Sequence, residues 1–425
     1  MTSADETRIA DDTRIADETR IADDTYIPDE AYTWPFERAP WCPLDPPPAL
    51  AEIRERCPVA HVRMYDGSDA TLLTRHADIR AVLGADGVSA DTNRPGFPHA
   101  SETARSIRMG QQVFARMDAP VHTEHRRMVS RSFLMPRVRA LRPRLEAMVD
   151  AMLDRLRTLP QPADLVAEFA NQVPSQVIVE LLALPLSDSE FFQNRLEVWH
   201  SLSSTPAESS QAKQDLTGYL AEAIDRRRAD PGDDLMSQLI ALQLDQGNLS
   251  LEQLLQILHV LLVGGYETTA NMIALGTIVL LSHPEQLAEL KADPSLWPNA
   301  VEELLRYLSV AHQATYRLAL DEVEVPSGVL AAGTPIIAPV MAANRDPEVF
   351  DRPDSLDIHR DSRAHLAFGF GVHQCLGQSL ARVELQVVFP RLFGRFPDLR
   401  LATSADDVPY KNSMVYGAES VLVTW

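Results

Sequence analysis

The stretch Phe368-Gly369-Phe370-Gly371-Val372-His373-Gln374-Cys375-Leu376-Gly377 sets one thiol in a glycine-punctuated loop, just before an amphipathic helical pattern from about Leu380 to Phe393. A cysteine there sits at the positive end of a helix, among backbone N–H groups with no intrahelical partner. Both features favour thiolate over thiol. The glycines permit tight turns, and Gly371 and Gly377 keep Cβ atoms away from anything flat and bulky that approaches. A thiolate so held is a good ligand for a soft or redox-active metal, haem iron above all. The stretch is not a dinucleotide fingerprint, because Gln374 stands where the third glycine would be.

A second group of reactive types is Gly264-Gly265-Tyr266-Glu267-Thr268-Thr269. Two glycines leave an opening on a helix face, and a threonine hydroxyl there can bond to the carbonyl one turn back, loosening the ladder. Glu267 beside Thr268 offers a proton relay. Reductive splitting of dioxygen needs two protons delivered to one oxygen, with electron density supplied by a thiolate. Glu303 and Arg306 lie three apart on one helix face and can pair. His122-Thr123-Glu124-His125 has two imidazoles at helical spacing but lacks a third zinc ligand.

These residues need a scaffold, and its pattern is mostly helical. Helical periodicity covers roughly 76–84, 121–133, 137–157, 162–182, 187–200, 211–228, 233–245, 250–283, 284–292 and 297–308. Val62–Met64 and Ala70–Thr74 read as a small hairpin around Asp66-Gly67, and short extended pieces return between Ala319 and Pro339. Residues 343–366 read as a meandering coil. The 250–283 segment carries a capping box, Ser250 with Gln253, and Pro284 stops it. It makes a rod of roughly 50 Å. Its apolar flanks resemble a membrane span, but Glu267 and two threonines would lie at the costliest depth, so it reads as the central helix of a soluble protein.

A net charge of −21, from 39 basic and 60 acidic residues, excludes nucleic acid and anionic membrane surfaces as natural partners. Residues 1–30 hold ten acids and three arginines, so −7 is local and −14 belongs to the rest. That segment repeats Asp-Glu/Asp-Thr-Arg-Ile-Ala, with too little apolar surface to offset its ordering entropy, and reads as a mobile acidic tail. Cys42, Cys57 and Cys375 form no disulfide framework. With an N-terminus unlike a signal peptide, they point to the cytoplasm.

The cysteine loop resembles the haem-ligand loop of the cytochrome P450 family, and Gly264–Thr268 resembles its Ala/Gly-Gly-x-Asp/Glu-Thr motif. Asn344-Arg345-Asp346 and Leu380-Ala381-Arg382 extend the likeness over about residues 35–425, in the manner of soluble actinomycete members from natural-product pathways. The resemblance implies a mainly α, single-domain fold: a helical prism over residues 31–425, with a small β region. It implies haem b clamped between the long helix and the cysteine helix, with Cys375 as axial iron ligand and Phe368, Gly369 and Gly377 around it. Glu267 and Thr268 become the catalytic acid–alcohol pair. His122, Arg126, Arg317 and His365 match the family's propionate-binding positions, for which arginine is suited by bidentate pairing. Glu303 and Arg306 match the family's structural Glu-x-x-Arg. Many relatives add a third base from Pro-Asp/Glu-Arg-Phe, but this chain has Pro353-Asp354-Ser355-Leu356, which leaves Arg352 and Arg360 as substitutes.

Family topology places the substrate pocket at 90–112, 196–212, Val260–Thr268, Val310–Tyr316 and Asn412–Tyr416. Val260, Val263, Gly264, Val310, Met414 and Val415 make it largely hydrophobic, while His312, Gln313 and Asn412 are set to orient a polar group. Ser201–Ser210 reads as a lid. The expected activity is a monooxygenase that oxidises a hydrophobic small molecule by hydroxylation, epoxidation or oxidative coupling. Since the chain has no flavin or nicotinamide fingerprint, electrons are expected from a ferredoxin and its reductase, delivered to a monomer. The same cofactor also supports nitric oxide reduction or peroxide use without partners, or a non-enzymatic haem sensor. Glu267 and Thr268 together weigh against both.

Overall fold

Helix Leu251–Ser282 runs through the molecule as its axis. The Ser250 hydroxyl accepts from Gln253 N–H and the Gln253 side chain accepts from Ser250 N–H, closing the expected box at 3.1 and 2.8 Å. Pro284 opens the next helix at once. The structure is a computed structural model describing residues 32–39, 43–109, 113–201, 204–311, 315–411, 413 and 415–425. The acidic repeat, Cys42, His312, Gln313, Asn412 and Met414 fall outside the described residues. Among those described, no helix is long and apolar enough to cross a membrane.

Helix Gln172–Leu182 and the cysteine helix Gln378–Arg395 both pack directly on the axis. Gly276 makes the second contact possible, since a Cβ there would stand 2.5 Å from the Phe389 ring. Trp297, on helix Trp297–Leu308, stacks on Phe389 and Phe393 at 6.3 and 6.1 Å. These aromatics belong to the large helical core.

The smaller core surrounds a five-stranded sheet. Val59–Arg63 and Asp69–Leu73 form the expected hairpin, with Gly67 at φ +83 in the turn. Asp69–Leu73 lies parallel to Pro335–Ile337, which pairs antiparallel with Tyr316–Ala319, the strand that carries Arg317. The architecture is thus mainly helical with a small β region.

Three segments differ from the sequence reading. The single helix expected over 162–182 is a strand at Ala163–Asp164, a π-helical turn at Val166–Ala170 and a helix from Gln172. Asp164 pairs with Leu422 in the C-terminal strand, and its carboxylate accepts from Val166 and Val421 N–H at 2.9 and 3.0 Å. The 211–228 helix begins at Pro206, because Thr205 and Glu208 form a capping box. Much of the expected lid is therefore its first turns. Glu102–Arg108 is a helix the reading lacked, capped by Ser101.

Glu303 and Arg306 are fully buried and bonded through two contacts of 2.7 and 2.8 Å. Arg306 also donates to the carbonyls of Asn344 and Pro353, and Asp357 N–H donates to Glu303. Arg360 fills the third position, its Nε 3.2 Å from Glu303, whereas Ser355 supplies only its carbonyl. Arg352 points to Asp351 at the surface.

Candidate active site

The cysteine loop is shaped by two left-handed glycines, Gly369 at φ +70 and Gly371 at φ +72. Gly371 does not face the cavity as expected: a Cβ there would lie 2.2 Å from the Leu83 carbonyl oxygen, so this glycine docks the loop on helix His76–Gly84. Gly369 and Gly377 do face open space. Cys375 N–H donates to the Phe368 carbonyl at 2.8 Å, which brings the thiol to the wall of an internal cavity of about 420 Å³.

Cys375 lies deep in the protein, with its surface open to that cavity. Burial pushes its thiol pKa up. The backbone N–H groups of Gly377 and Gln378 and the charges of Arg126 and Arg382 oppose this without overcoming it. The helix position alone therefore does not yield a thiolate, because desolvation outweighs it. A metal cation bonded to the sulfur would reverse the balance.

Thr268 and Gly264 line the same cavity. The Thr268 hydroxyl donates to the Gly264 carbonyl at 2.8 Å, the back-bond expected from its spacing. The two glycines have separate tasks. Gly264 faces open space, while Gly265 accommodates Ile178, whose side chain would be 2.9 Å from a Cβ. Glu267 points elsewhere, since adjacent helical residues diverge by about 100°. Its carboxylate accepts from Ser413 Oγ at 3.2 Å, and burial raises its pKa against the pull of nearby Lys411. Acid and alcohol are neighbours in sequence, but only the alcohol lines the cavity.

Arg126 and Arg317 stand at the cavity wall. Arg126 donates to the Gln374 carbonyl and Arg317 to its own strand at Tyr316. Among the described residues neither has a carboxylate within ion-pair distance, and burial lowers the Arg317 pKa to about 10. Asp118, the nearest acid, is engaged by Ser89, Ala90 and Arg94. His122 is buried with both ring nitrogens unpartnered, its ring 4.3 Å from that of His373. His373 reaches the cavity, and burial lowers its pKa to about 3. It stood inside the loop motif, yet nothing in its type or spacing distinguished a lining role.

Comparison with known proteins agrees with this geometry. The cytochrome P450 family model matches residues 50–294 and 295–415. The chain belongs to the cytochrome P450 family. It is 45% identical over 394 residues to cytochrome P450-SU2 of Streptomyces griseolus, covering 92% of this chain and 97% of that one. It is 43% identical to pentalenic acid synthase of Streptomyces avermitilis, over 90% of this chain and 95% of that protein. The crystal structure of GfsF superposes with a TM-score of 0.87 at 41% identity, covering 93% of this chain and all (100%) of that one.

Haem is the cofactor that P450 membership implies, and the residues present fit it. A sulfur faces a largely apolar cavity, glycines leave room where Cβ atoms would intrude, and buried cations with orphaned imidazole nitrogens wait for acceptors. Among the described residues no three His, Cys, Asp or Glu side chains gather as a separate metal site. His365, the fourth expected propionate position, has protein partners at both ring nitrogens. Its Nε2 lies 3.1 Å from Glu302 and its Nδ1 accepts from Ala367 N–H at 3.1 Å. Glu302 also holds Arg382 of the cysteine helix at 2.8 and 3.0 Å, a bracing pair the sequence reading missed. Phe368, Val260 and Val310 line the cavity; Val263 lines a neighbouring pocket, and Val415 packs on the core.

Proposed function

We propose that this protein is a haem-thiolate monooxygenase that oxidises a largely hydrophobic small molecule in natural-product biosynthesis. The observation that carries the reading is that Cys375, Thr268 and the uncompensated Arg126 and Arg317 all face one mostly apolar cavity. Haem bound through Cys375 supplies dioxygen activation, with electron density from the sulfur. Arg126, Arg317 and His122 are the groups to hold its carboxylates. Thr268 keeps a hydroxyl at the cavity wall to hand on a proton, and Glu267, half-buried and held by Ser413, is the reservoir behind it. The apolar walls at Val260, Ile178 and Val310 bind the substrate and exclude water.

Several relatives tailor natural products: one similar structure is the mycinamicin VIII C21 methyl hydroxylase of Micromonospora griseorubida, 36% identical with a TM-score of 0.87. The absence of a nicotinamide or flavin motif supports a ferredoxin and its reductase as the electron source. Two measurements test the reading. The reduced protein with carbon monoxide should show the absorption band of thiolate-bound haem, and Cys375→Ser should abolish it. NADH consumption coupled to product should require added ferredoxin and reductase. A wild-type protein that binds haem without the thiolate band would refute the assignment.

A further inference from the structure

Beside the cavity above Cys375 lies a second pocket of about 250 Å³, and the two share Ala115 and Val260 in their walls. By liquid volume it has room for roughly eight waters, enough for a ring-sized polar group. Helices Leu251–Ser282 and Pro206–Ala229 form its sides.

Five polar side chains from these helices line it, Lys213, Thr217, Glu252, Gln256 and His259, with Arg116 beside them, and three of these are short of partners. His259 is 6% exposed, and its ring is bonded to the Leu255 carbonyl, which leaves Nε2 buried with no partner. Gln256 turns its amide nitrogen toward Glu252, 3.5 Å away, and its buried Oε1 has no partner either. Lys213 is partly buried, with no carboxylate within ion-pair distance among the described residues. Burial and Lys213 lower the His259 pKa to about 4, so the imidazole is neutral and Nε2 presents a lone pair. Beside Arg116, Thr217 and Glu252, the pocket therefore offers two unsatisfied acceptors and one ammonium donor. A buried acceptor left unpaired is costly, which makes each a demand on whatever enters.

We propose that this side pocket receives a hydroxyl-bearing end of the substrate, such as a polyol or sugar ring, while its apolar body lies in the cavity above Cys375. Hydroxyls donate to His259 Nε2 and Gln256 Oε1 and accept from Lys213. A carboxylate meets Lys213 and Arg116 but sets its oxygens against two lone pairs and the Glu252 carboxylate. The inference rests on the haem-thiolate reading for the location of the oxidised end and deepens it by naming the substrate class.

The test uses the haem-loaded protein and three probes of one chain length: 1,2-dodecanediol, 1,2-dimethoxydodecane and dodecanoate. Binding is read by calorimetry, which does not depend on a haem signal, and the carbon monoxide band is recorded separately as the check on the underlying reading. The diol should bind about tenfold or more tightly than the dimethyl ether, which accepts hydrogen bonds but cannot donate them. His259→Leu and Gln256→Leu should each narrow that gap by weakening the diol and not the ether. Equal affinity for diol and ether, tighter binding of dodecanoate than of the diol, or no binding of any probe would overturn the proposal.

Discussion

Cys375 and Thr268 line one cavity but are held by different forces. The thiol is desolvated and held back from ionising, with burial outranking the loop and helix N–H groups. Thr268 spends its proton on the Gly264 carbonyl and keeps its oxygen lone pairs toward the cavity. In the proposed relay a proton reaching the reacting end passes through the hydroxyl, since Thr268 lines the cavity. Thr268→Ala is expected to uncouple electron use from product formation, so that product per NADH falls about tenfold or more and hydrogen peroxide rises. Thr268→Ser should retain most of the coupling. Assaying NADH, peroxide and product together checks both, and unchanged coupling in the alanine variant would remove Thr268 from the relay. Glu384 presents a different titration. It is buried with Oε2 unpartnered, and burial raises its pKa to about 8. A folded-state pKa above the unfolded value means that the folded protein keeps a proton the unfolded chain releases. Stability from this group is full below the ordinary glutamate range and is lost as pH rises toward about 8. Glu384→Gln should flatten that decline, with variant and wild type diverging by on the order of a few kcal/mol above pH 8 in thermal or urea unfolding.

Elements meet this site through contacts of unequal visibility in the sequence. The long helix was legible end to end because its signals are local: a capping box at Ser250, a proline at 284 and a back-bonding threonine four residues after a glycine. The break near Asp164 was not, because its cause is a strand far away in sequence, Leu422–Thr424, which overrides local helical periodicity. Cys375 could be read from its loop. The His365–Glu302–Arg382 brace could not, since nothing in residue type separates a histidine that meets a cofactor from one that holds a carboxylate. The third base beside Glu303 was open between Arg352 and Arg360 for a similar reason: the coil that carries both has no periodicity to orient them. That network now supports a prediction. Arg306 satisfies both Glu303 oxygens and two meander carbonyls in a fully buried setting. Arg306→Leu leaves Glu303 with less compensation and should cost about 3–5 kcal/mol, with loss of bound haem on purification. Arg360→Leu, at the partly solvated edge, should cost less and retain the cofactor. Urea unfolding and the ratio of haem to protein absorbance decide between them.

At the scale of the whole molecule, we propose a folded body preceded by an acidic tail. The family match begins at residue 50, and the cytochrome P450-SU2 likeness covers 92% of the chain. The repeat over residues 1–30 contributes −7 of the −21 net charge, with one isoleucine per repeat as its only strongly apolar residue. A segment of that composition has no means of adding to the core, while its charge acts over about 10 Å at ordinary ionic strength. Removing residues 1–30 is therefore expected to leave the unfolding midpoint, haem content and carbon monoxide band unchanged. The same deletion should bring elution from an anion exchanger to lower salt and move the pH of least solubility above the full chain's pI of 5.0, because it removes ten acids and only three arginines. A fall in unfolding midpoint on deletion would show that the repeat docks on the body, and the compact unit would then have to be drawn to include it.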